Sequence, residues 1–306
     1  MTLAKLTVLF GESDRVDMQL LSDVLMRECA AHGIHASVLL RAAEGFGIKH
    51  QLHTDRLLTL SEDLPLAVVA IDERETIREL ADRVAPLVSG GLVTVEAATP
   101  AGGTTDTEAV KLTILVSRRD PTEDLVEGLR RAGMDAAAVL LGLDGTIDGT
   151  RRRARFFSAN GDVPALVVAT GPAAAARGFA GGRFATIERI VVCKRDGELL
   201  ADPRVEAPAG WWQRLSIHSH QDLQLVRRLR LEQAAGATAL HGVWGFSGAV
   251  PPHGDRFLAL RRTVPVLTVV VDRPESVARW WPAVDELTHR AGVVTSELVP
   301  DARPIG

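Results

Sequence analysis

The chain has 306 residues, of which 46% are hydrophobic and 24% charged, the balance of a folded globular protein with room for two or three domains. Its formal net charge of −4 lacks the basic excess of a nucleic-acid-binding protein. No run of about 18 apolar residues is present, so a membrane span is not predicted. The N-terminus lacks the apolar length of a secretory signal, and a cytoplasmic protein is expected.

Two sequence features have a mainly structural interpretation. Cys29 and Cys193 stand in no metal-binding spacing, which favours buried thiols in a reducing compartment. The basic cluster from Arg151 to Arg155 favours a solvated loop face over a phosphate-binding track, because such short motifs have a high false-positive rate.

The first hundred residues contain alternating strand and helix patterns, separated by glycine and polar turns. Leu21, Val24, Leu25 and Cys29 recur at helical spacing, and Gly33 is expected to end that helix. The predicted elements are a strand over 5–10, a helix from 21, strands over 36–42, 56–60 and 66–71, a helix with apolar positions from 77 to 87, and a strand over 92–96.

Parts of this pattern recur 200 residues later. Residues 64–72 reappear as 264–272 with the same proline and terminal aspartate, 45–46 reappear as 245–246, and 53–60 as 253–260. A more worn middle copy begins at 111–116, which echoes 5–10. Self-similarity at a fixed offset indicates a repeat architecture.

The repeat predicts three units, at residues 1–97, a degenerate one at 110–193, and 212–300. Residues 97–109 are rich in glycine and threonine and are predicted to be a linker. A small hairpin is expected at 195–198, because Asp-Gly favours a two-residue turn.

The element order βαββαβ is that of a split βαβ unit, whose antiparallel sheet carries both helices on one face. The strand over 66–71 is apolar on both sides, so the second sheet face must also be buried. The sequence therefore predicts an α+β fold of three tandem ferredoxin-like units, packed around a common axis as a monomeric single-chain pseudo-trimer.

Residues 5–14, 44–47, 53–56 and 60–65 together resemble the PII-like signalling protein family, catalogued as domain of unknown function 190. The third unit resembles it at 236–246 and 253–260, whereas the middle unit keeps little beyond its strands. The resemblance implies nucleotide binding in clefts between units and a mobile signalling loop after the second strand. By position, that loop corresponds to 43–54 and to 243–254.

Residues in and beside these two loops form the predicted ligand-binding set. Gly45 and Gly47 allow backbone amides to approach an anion, and Arg41 and Arg56 are candidates for charge-assisted contacts. A histidine, an aspartate and an arginine recur in both loops and are either ligand-binding or ties between units. The full set is Arg41, Glu44, Gly45, Phe46, Gly47, His53, Asp55, Arg56, Gly245, Phe246, His253, Asp255 and Arg256.

Two departures from the family pattern shape this prediction. PII proteins carry a glycine- and lysine-rich phosphate loop before the last strand, where this chain has only residues 88–92. A smaller nucleotide such as a monophosphate, or another ligand, is therefore favoured over a triphosphate. The middle unit reads Asp144 to Ile147 where the first has Glu44 to Gly47, so the competent cleft is expected to use the loops of units one and three.

No nucleophile elbow, phosphate-binding Walker loop or zincin helix is present, so an enzyme is not predicted. Pairs at His50 and His53 and at His218 and His220 make a divalent-metal-binding protein one alternative, although no complete ligand set can be assembled. A ligand-free structural adaptor is the other alternative. The tryptophans at 211–212 and 280–281 are expected to fill contacts between units.

The leading hypothesis is a PII-like regulatory protein without catalytic activity. It would bind a small-molecule effector, with an adenine nucleotide as the candidate, between units and signal through a mobile loop to a regulated protein, either an enzyme or a transporter. Neither nucleic acid nor membrane insertion is part of this hypothesis.

Overall fold

A computed structural model describes residues 2–47, 50–54, 63–103, 106–155, 160–179, 183–220, 224–254 and 264–306. We call residues 2–103, 106–200 and 201–306 the first, second and third segments. The chain is a mixed α/β protein with many strands and few helices, as the sequence predicts.

The first segment begins with a long strand and a helix whose buried face includes Leu21, Leu25 and Cys29. Gly33 has a φ of +61°, a left-handed conformation that suits glycine at the end of a helix. Its elements are β1 (Leu3–Gly11), β2 (Arg15–Val16), β3 (Gln19–Leu20), α1 (Leu21–Ala31), β4 (Ala36–Arg41), β5 (Glu44–Phe46), β6 (His53–Thr54), β7 (Pro65–Glu73), α2 (Arg74–Val84) followed by a 3-10 turn at Ala85–Leu87, and β8 (Gly91–Pro100). The predicted strand over 56–60 lies outside the described residues.

The second segment keeps the strands but has a much shorter second helix, only Ala173–Ala176 followed by a 3-10 turn at Arg177–Phe179. Proline before it and glycines after it limit its length. The elements are β9 (Ala109–Ser117), α3 (Thr122–Arg131), β10 (Ala136–Ile147), β11 (Thr150–Arg153), β12 (Pro164–Pro172), α4 (Ala173–Ala176), β13 (Phe184–Arg189), β14 (Val191–Arg195) and β15 (Glu198–Leu199).

The third segment repeats the long first strand and carries the longest helix. Its elements are β16 (Trp212–Ser219), α5 (Leu225–Leu231), β17 (Ala237–His241), β18 (Trp244–Ser247), β19 (Val250–Gly254), β20 (Val266–Asp272), α6 (Pro274–Leu287), β21 (Val293–Val299) and β22 (Asp301–Ile305).

Four strands in each segment pair antiparallel in the same order. The orders are β8-β1-β7-β4, β13-β9-β12-β10 and β21-β16-β20-β17. If the four strands of each segment are counted along the chain, their order across the sheet is fourth, first, third and second. The two helices connect strands that follow one another in the chain but are not neighbours in the sheet.

Backbone pairing also joins the segments to one another. The stretch after the second strand of each segment adds to the sheet of another: β5 pairs with β17, the end of β10 pairs with β4, and β18 pairs with the start of β10. These contacts lead from the first segment to the third, from the third to the second, and from the second back to the first.

The stretch after the last strand makes a second set of contacts. The end of β8 pairs with β13, β14 pairs with β21, and β22 pairs with β8. Part of the predicted linker over 97–109 is therefore strand, because β8 extends to Pro100. Asp196 and Gly197, both with positive φ, form the predicted turn between β14 and β15.

The buried hydrophobic residues form one cluster in each segment and a further cluster between the segments. One cluster in each segment includes its first helix and first strand, represented by Leu25, Val126 and Val226. A further cluster joins strands of all three segments and includes Leu40 and Leu140. Both faces of the long strands are therefore buried, as the run of apolar residues predicts.

The basic cluster at 151–155 differs from the predicted loop face. Asp148 and Gly149, with φ of 50° and 72°, form a tight turn, so that residues 150–153 become β11 and pair with β10. Arg151 Nη2 lies 2.5 Å from Oδ2 of the buried Asp144. Arg151 therefore lies in a strand and pairs with a buried carboxylate, instead of lying in a solvated loop.

Candidate ligand-binding cleft

A cleft of about 230 Å³ separates the first and third segments. Its first-segment wall comes from the end of β1, the turn before β8 and the stretch after β4. Its third-segment wall comes from Trp212, residues 235–238, β20 and residues 304–306. This volume lies just below the range of about 300–1,000 Å³ typical of sites for drug-sized ligands. The cleft suits a small molecule.

Gly45 and Phe46 join the two segments beside this cleft. Gly45 pairs with Thr238, and a Cβ at Gly45 would lie 2.8 Å from both the Ala237 carbonyl oxygen and the Pro65 ring. The Phe46 side chain is 4% exposed and belongs to the hydrophobic cluster of the third segment. The predicted role of Gly45 in anion binding is not supported by this arrangement, because close backbone packing already requires a glycine there.

Gly47 has different surroundings although it is only two residues away. It lines the cleft, and a Cβ at this position would meet nothing within 4 Å among the described residues. Its φ is not in the left-handed region, so the residue is not required by backbone conformation. Gly47 therefore leaves space in the cleft without serving the packing of the segments.

The corresponding third-segment residues lie at another junction. Gly245 pairs with Ala138 of the second segment, and a Cβ there would lie 2.2 Å from the Ala137 carbonyl oxygen. Phe246 is 2% exposed within the second segment's hydrophobic cluster, with the Arg130 guanidinium 5.7 Å from its ring centre. The structure does not bring these two predicted residues to the first–third cleft.

The predicted polar residues Arg41 and Glu44 are engaged elsewhere. Arg41 Nη2 donates to Glu12 Oε2 at 2.8 Å. Glu44 is 5% exposed, and its Oε1 accepts a hydrogen bond from Arg227 Nε at 2.9 Å, which joins the first and third segments. Arg41 is therefore bound within the first segment, and Glu44 links the first segment to the third. Neither side chain lines the cleft.

His53 is the predicted polar residue that does line the cleft. It lies on β6 opposite Gly45. His253 occupies the matching place opposite Gly245, and its Nδ1 lies 3.0 Å from the Pro251 carbonyl oxygen. The other four members of the predicted set lie outside the described residues: Asp55, Arg56, Asp255 and Arg256.

Sequence reasoning missed several cleft residues because they are remote in the chain from the two loops. Asp14 and Asp63 line the cleft, and their carboxylates accept hydrogen bonds from the backbone N–H groups of Gly11 at 2.9 Å and Ser13 at 2.5 Å. The adjacent glycines at 90–91 also line it. These two glycines stand where the resemblance to PII proteins implies a phosphate loop, so the sequence could have indicated them as cleft residues.

Trp212 adds an aromatic side chain to the wall, which also contains Phe10 and Phe46. Trp212 is 7% exposed, packs near Leu92 of the first segment, and has the Arg273 guanidinium 4.4 Å from its ring centre. This position confirms that it fills a contact between segments. Trp280 instead lies within the third segment's own cluster, where its Nε1 donates to Asp272 Oδ2 at 3.0 Å.

The described residues contain no group of three or more His, Cys, Asp or Glu side chains placed to hold a metal ion. The His50 ring instead stacks on Phe46, with 5.7 Å between ring centres. No helix in the described part of the chain combines the length and the hydropathy needed to cross a membrane.

A protein-family model matches residues 3–99 and 217–300, which together make up more than half of the chain. The matched residues fall in the first and third segments, where the sequence repeat is strongest. The match is to DUF190, described as "Uncharacterized ACR". The chain therefore belongs to the DUF190 family.

Proposed function

We propose that the protein is a single-chain PII-like regulator, in which three ferredoxin-like units form a pseudo-trimer and a small effector binds between the first and third. The repeated strand order supports three related units. The pairing that leads from the first segment to the third, the second and back to the first supports their arrangement in a closed ring.

One observation carries the functional part of the proposal. The stretch after β4, which the PII resemblance implies to be the signalling loop, provides both a wall of the cleft and a strand of the third segment's sheet. An effector in the cleft contacts this stretch at Phe46, Gly47 and His53. Its binding energy would favour one conformation of the loop over others, which is the requirement for a ligand-driven switch.

The lining also guides the choice of effector. Arg41 already pairs with Glu12 and Gly45 is packed in the sheet, so the two act as structure and not as phosphate ligands. Gly91 is likewise required by the backbone, because a Cβ there would lie 2.0 Å from the Leu9 carbonyl oxygen, which leaves Gly47 and Gly90 beside the cleft. We propose a compact effector, with an adenine nucleotide bearing few phosphates as the leading candidate.

In this proposal the protein performs no reaction and acts in the cytoplasm. The regulated partner, an enzyme or a transporter, recognises the loop at 43–54. Because the segments are covalently linked, the other junctions need not bind effector, and a stoichiometry of one per chain is expected.

Titration calorimetry with adenosine mono-, di- and triphosphate tests the proposal. Gly47→Val should abolish the binding heat, because the added side chain occupies open cleft space without a clash in the fold. Gly178→Val is the matched control, since Gly178 also has nothing within 4 Å of a Cβ but lies in the second segment. The proposal fails if no nucleotide binds, or if both variants bind as the unmodified chain does.

A further inference from the structure

A closed ring of six buried charges lies where the three segments meet. Each segment contributes one cation from its first strand and one carboxylate from its last strand. Every side chain is 4–7% exposed. Around the ring the order is Lys5, Glu188, Lys111, Glu297, Arg214 and Glu96.

The distances show that each cation is shared between two carboxylates. Lys5 Nζ lies 3.2 Å from Glu188 and 3.7 Å from Glu96. Arg214 Nη1 lies 2.5 Å from Glu96 and 3.5 Å from Glu297. Lys111 contacts Glu188 at 3.4 Å and also Glu297. Because it contains three cations and three carboxylates, the ring has no net charge.

Next to this ring is a central cavity of about 70 Å³. Most of its lining residues are leucines and valines, with Ala67, and its polar residues are hydrogen-bond donors from all three segments. The lining includes the three ring cations but none of the three ring carboxylates. The polar residues are Lys5, Lys111, Arg214, Thr7, Thr113, Ser216 and Thr238.

Two observations concern the buried cations beside this cavity. Arg214 is 5% exposed, yet its Nε has no hydrogen-bond partner among the described residues. Burial lowers the pKa of Lys5 although Glu188 acts to raise it, so the carboxylates do not fully offset the cost of burying this ammonium group. A buried donor without an acceptor is costly, and a charged donor more so.

We propose that the central cavity is a binding site for a small monovalent anion of halide size. The anion accepts hydrogen bonds from Arg214 and from the hydroxyl groups that line the cavity. Hydrogen bonds from charged donors to an anion are about twice as strong as neutral ones. Because donors come from every segment, bound anion stabilises the assembled form of the chain.

Bromide diffraction provides the direct test. Crystals of the full chain grown in sodium bromide should give an anomalous peak in the central cavity, within hydrogen-bonding distance of Arg214. Density in the cavity without anomalous signal, from water alone, would overturn the proposal. This measurement uses the unmodified protein, so it does not depend on whether a variant folds.

Thermal unfolding tests whether the anion contributes to stability. At constant ionic strength, replacing methanesulfonate by chloride should raise the unfolding midpoint by about 2–4 °C and then saturate. Thr113→Val should remove this dependence. Thr170→Val is the control, because Thr170 is equally buried in the second segment but lies outside the cavity. A midpoint independent of chloride, or equal dependence in both variants, contradicts the proposal.

Discussion

The first–third cleft differs sharply from the equivalent place between the second and first segments. Ala235 and Leu92 line the open cleft. Their counterparts at the other junction are His35 and Phe184, whose rings lie 4.5 Å apart. The correspondence is supported by backbone contacts: the N–H of His35 donates to Asp72, and that of Ala235 donates to Asp272. The His35 and Phe184 rings thus occupy the place where the first–third cleft has the smaller side chains of Ala235 and Leu92.

Further polar contacts strengthen the filled junction. Ser37 and Thr146 share a hydrogen bond of 2.8 Å between their hydroxyl oxygens, and Arg153 lies 2.8 Å from Asp23. The same chain therefore has one junction closed by side-chain contacts and another that contains a cleft. In the proposed pseudo-trimer, divergence of the linked units permits this difference between junctions, which a trimer of identical subunits cannot achieve.

The largest effect is expected from breaking the backbone crossing at the filled junction. A Cβ at Gly145 would lie 2.1 Å from the Ser37 carbonyl oxygen, so Gly145→Ala should lower the free energy of unfolding by about 3 kcal/mol. Urea unfolding followed by tryptophan fluorescence measures this. Gly47→Ala, at the open cleft, should change it by less than about 0.5 kcal/mol. Equal changes in unfolding free energy for the two variants would contradict the proposed difference between the filled junction and the open cleft.

Acid should weaken the charge ring shared by all junctions. Burial acts to raise the pKa of Glu96, but Arg214, Lys5 and Lys111 outweigh it and hold the pKa at about 2. Because the folded-state pKa is lowered, this stabilisation is present above pH 5 and is lost as pH falls from about 5 towards 2. The loss is on the order of 3 kcal/mol, since each tenfold change in proton affinity is worth about 1.4 kcal/mol.

Urea unfolding between pH 7 and pH 3 measures most of this loss, about 2 kcal/mol, because the folded-state pKa of Glu96 lies below this range. Glu96→Gln should be less stable at pH 7 and show a smaller decline over the same range, because it removes a titrating group. An unmodified chain that keeps its full stability at pH 3 would show that the ring does not carry this linkage.

Removing the contact between the Phe184 and His35 rings should lower the free energy of unfolding less than Gly145→Ala does. Phe184→Ala is expected to reduce the free energy of unfolding by about 2 kcal/mol, because the side chain is half-buried against His35. Leu92→Ala should cost about 1 kcal/mol, since Leu92 faces an open cleft. Chemical denaturation of both variants gives the comparison, and a larger cost for Leu92→Ala would reverse it.

Converting the open cleft to the filled form should affect binding more than folding. Ala235→His with Leu92→Phe introduces the pair found at the other junction and should weaken effector binding at least tenfold, with a change in unfolding free energy below about 1 kcal/mol. Calorimetry measures the binding. The reciprocal control, His35→Ala with Phe184→Leu, should leave effector affinity unchanged. Normal binding by the filled variant would place the effector elsewhere.

Thiol labelling offers the smallest and most local effect. Burial raises the pKa of Cys29 and of Cys193 to about 12, so labelling at pH 8 should be slow. Cys29 lies near Ser37 and Arg151 at the filled junction. Gly145→Ala should therefore accelerate the labelling of Cys29 more than that of Cys193, as mass spectrometry of peptides can show. Equal acceleration would indicate global unfolding.

Local sequence patterns predicted the elements well, because strand and helix periods and turn residues act over short distances. Gly33, the strand at 66–71 and the turn at 196–197 are examples. The turn at Asp148 and Gly149 had the same Asp-Gly signal as the predicted one at 196–197, and it was missed beside the arginine cluster.

Contacts between segments were harder to predict. The glycine at Gly45 has the same sequence signature whether it approaches a phosphate or another backbone, and only the position of Ala237 distinguishes the two. The repeated lysine at positions 5 and 111 was visible in the sequence. Its carboxylate partners could not be assigned, because they come from last strands of different segments.

A crystal structure of the full chain with adenosine monophosphate tests the central claim most directly. The account predicts one nucleotide per chain in the first–third cleft, in contact with Gly47 and with the turn at 90–91, and no nucleotide at the junction filled by His35 and Phe184. An empty first–third cleft at saturating nucleotide, or nucleotide bound at another junction, would contradict it.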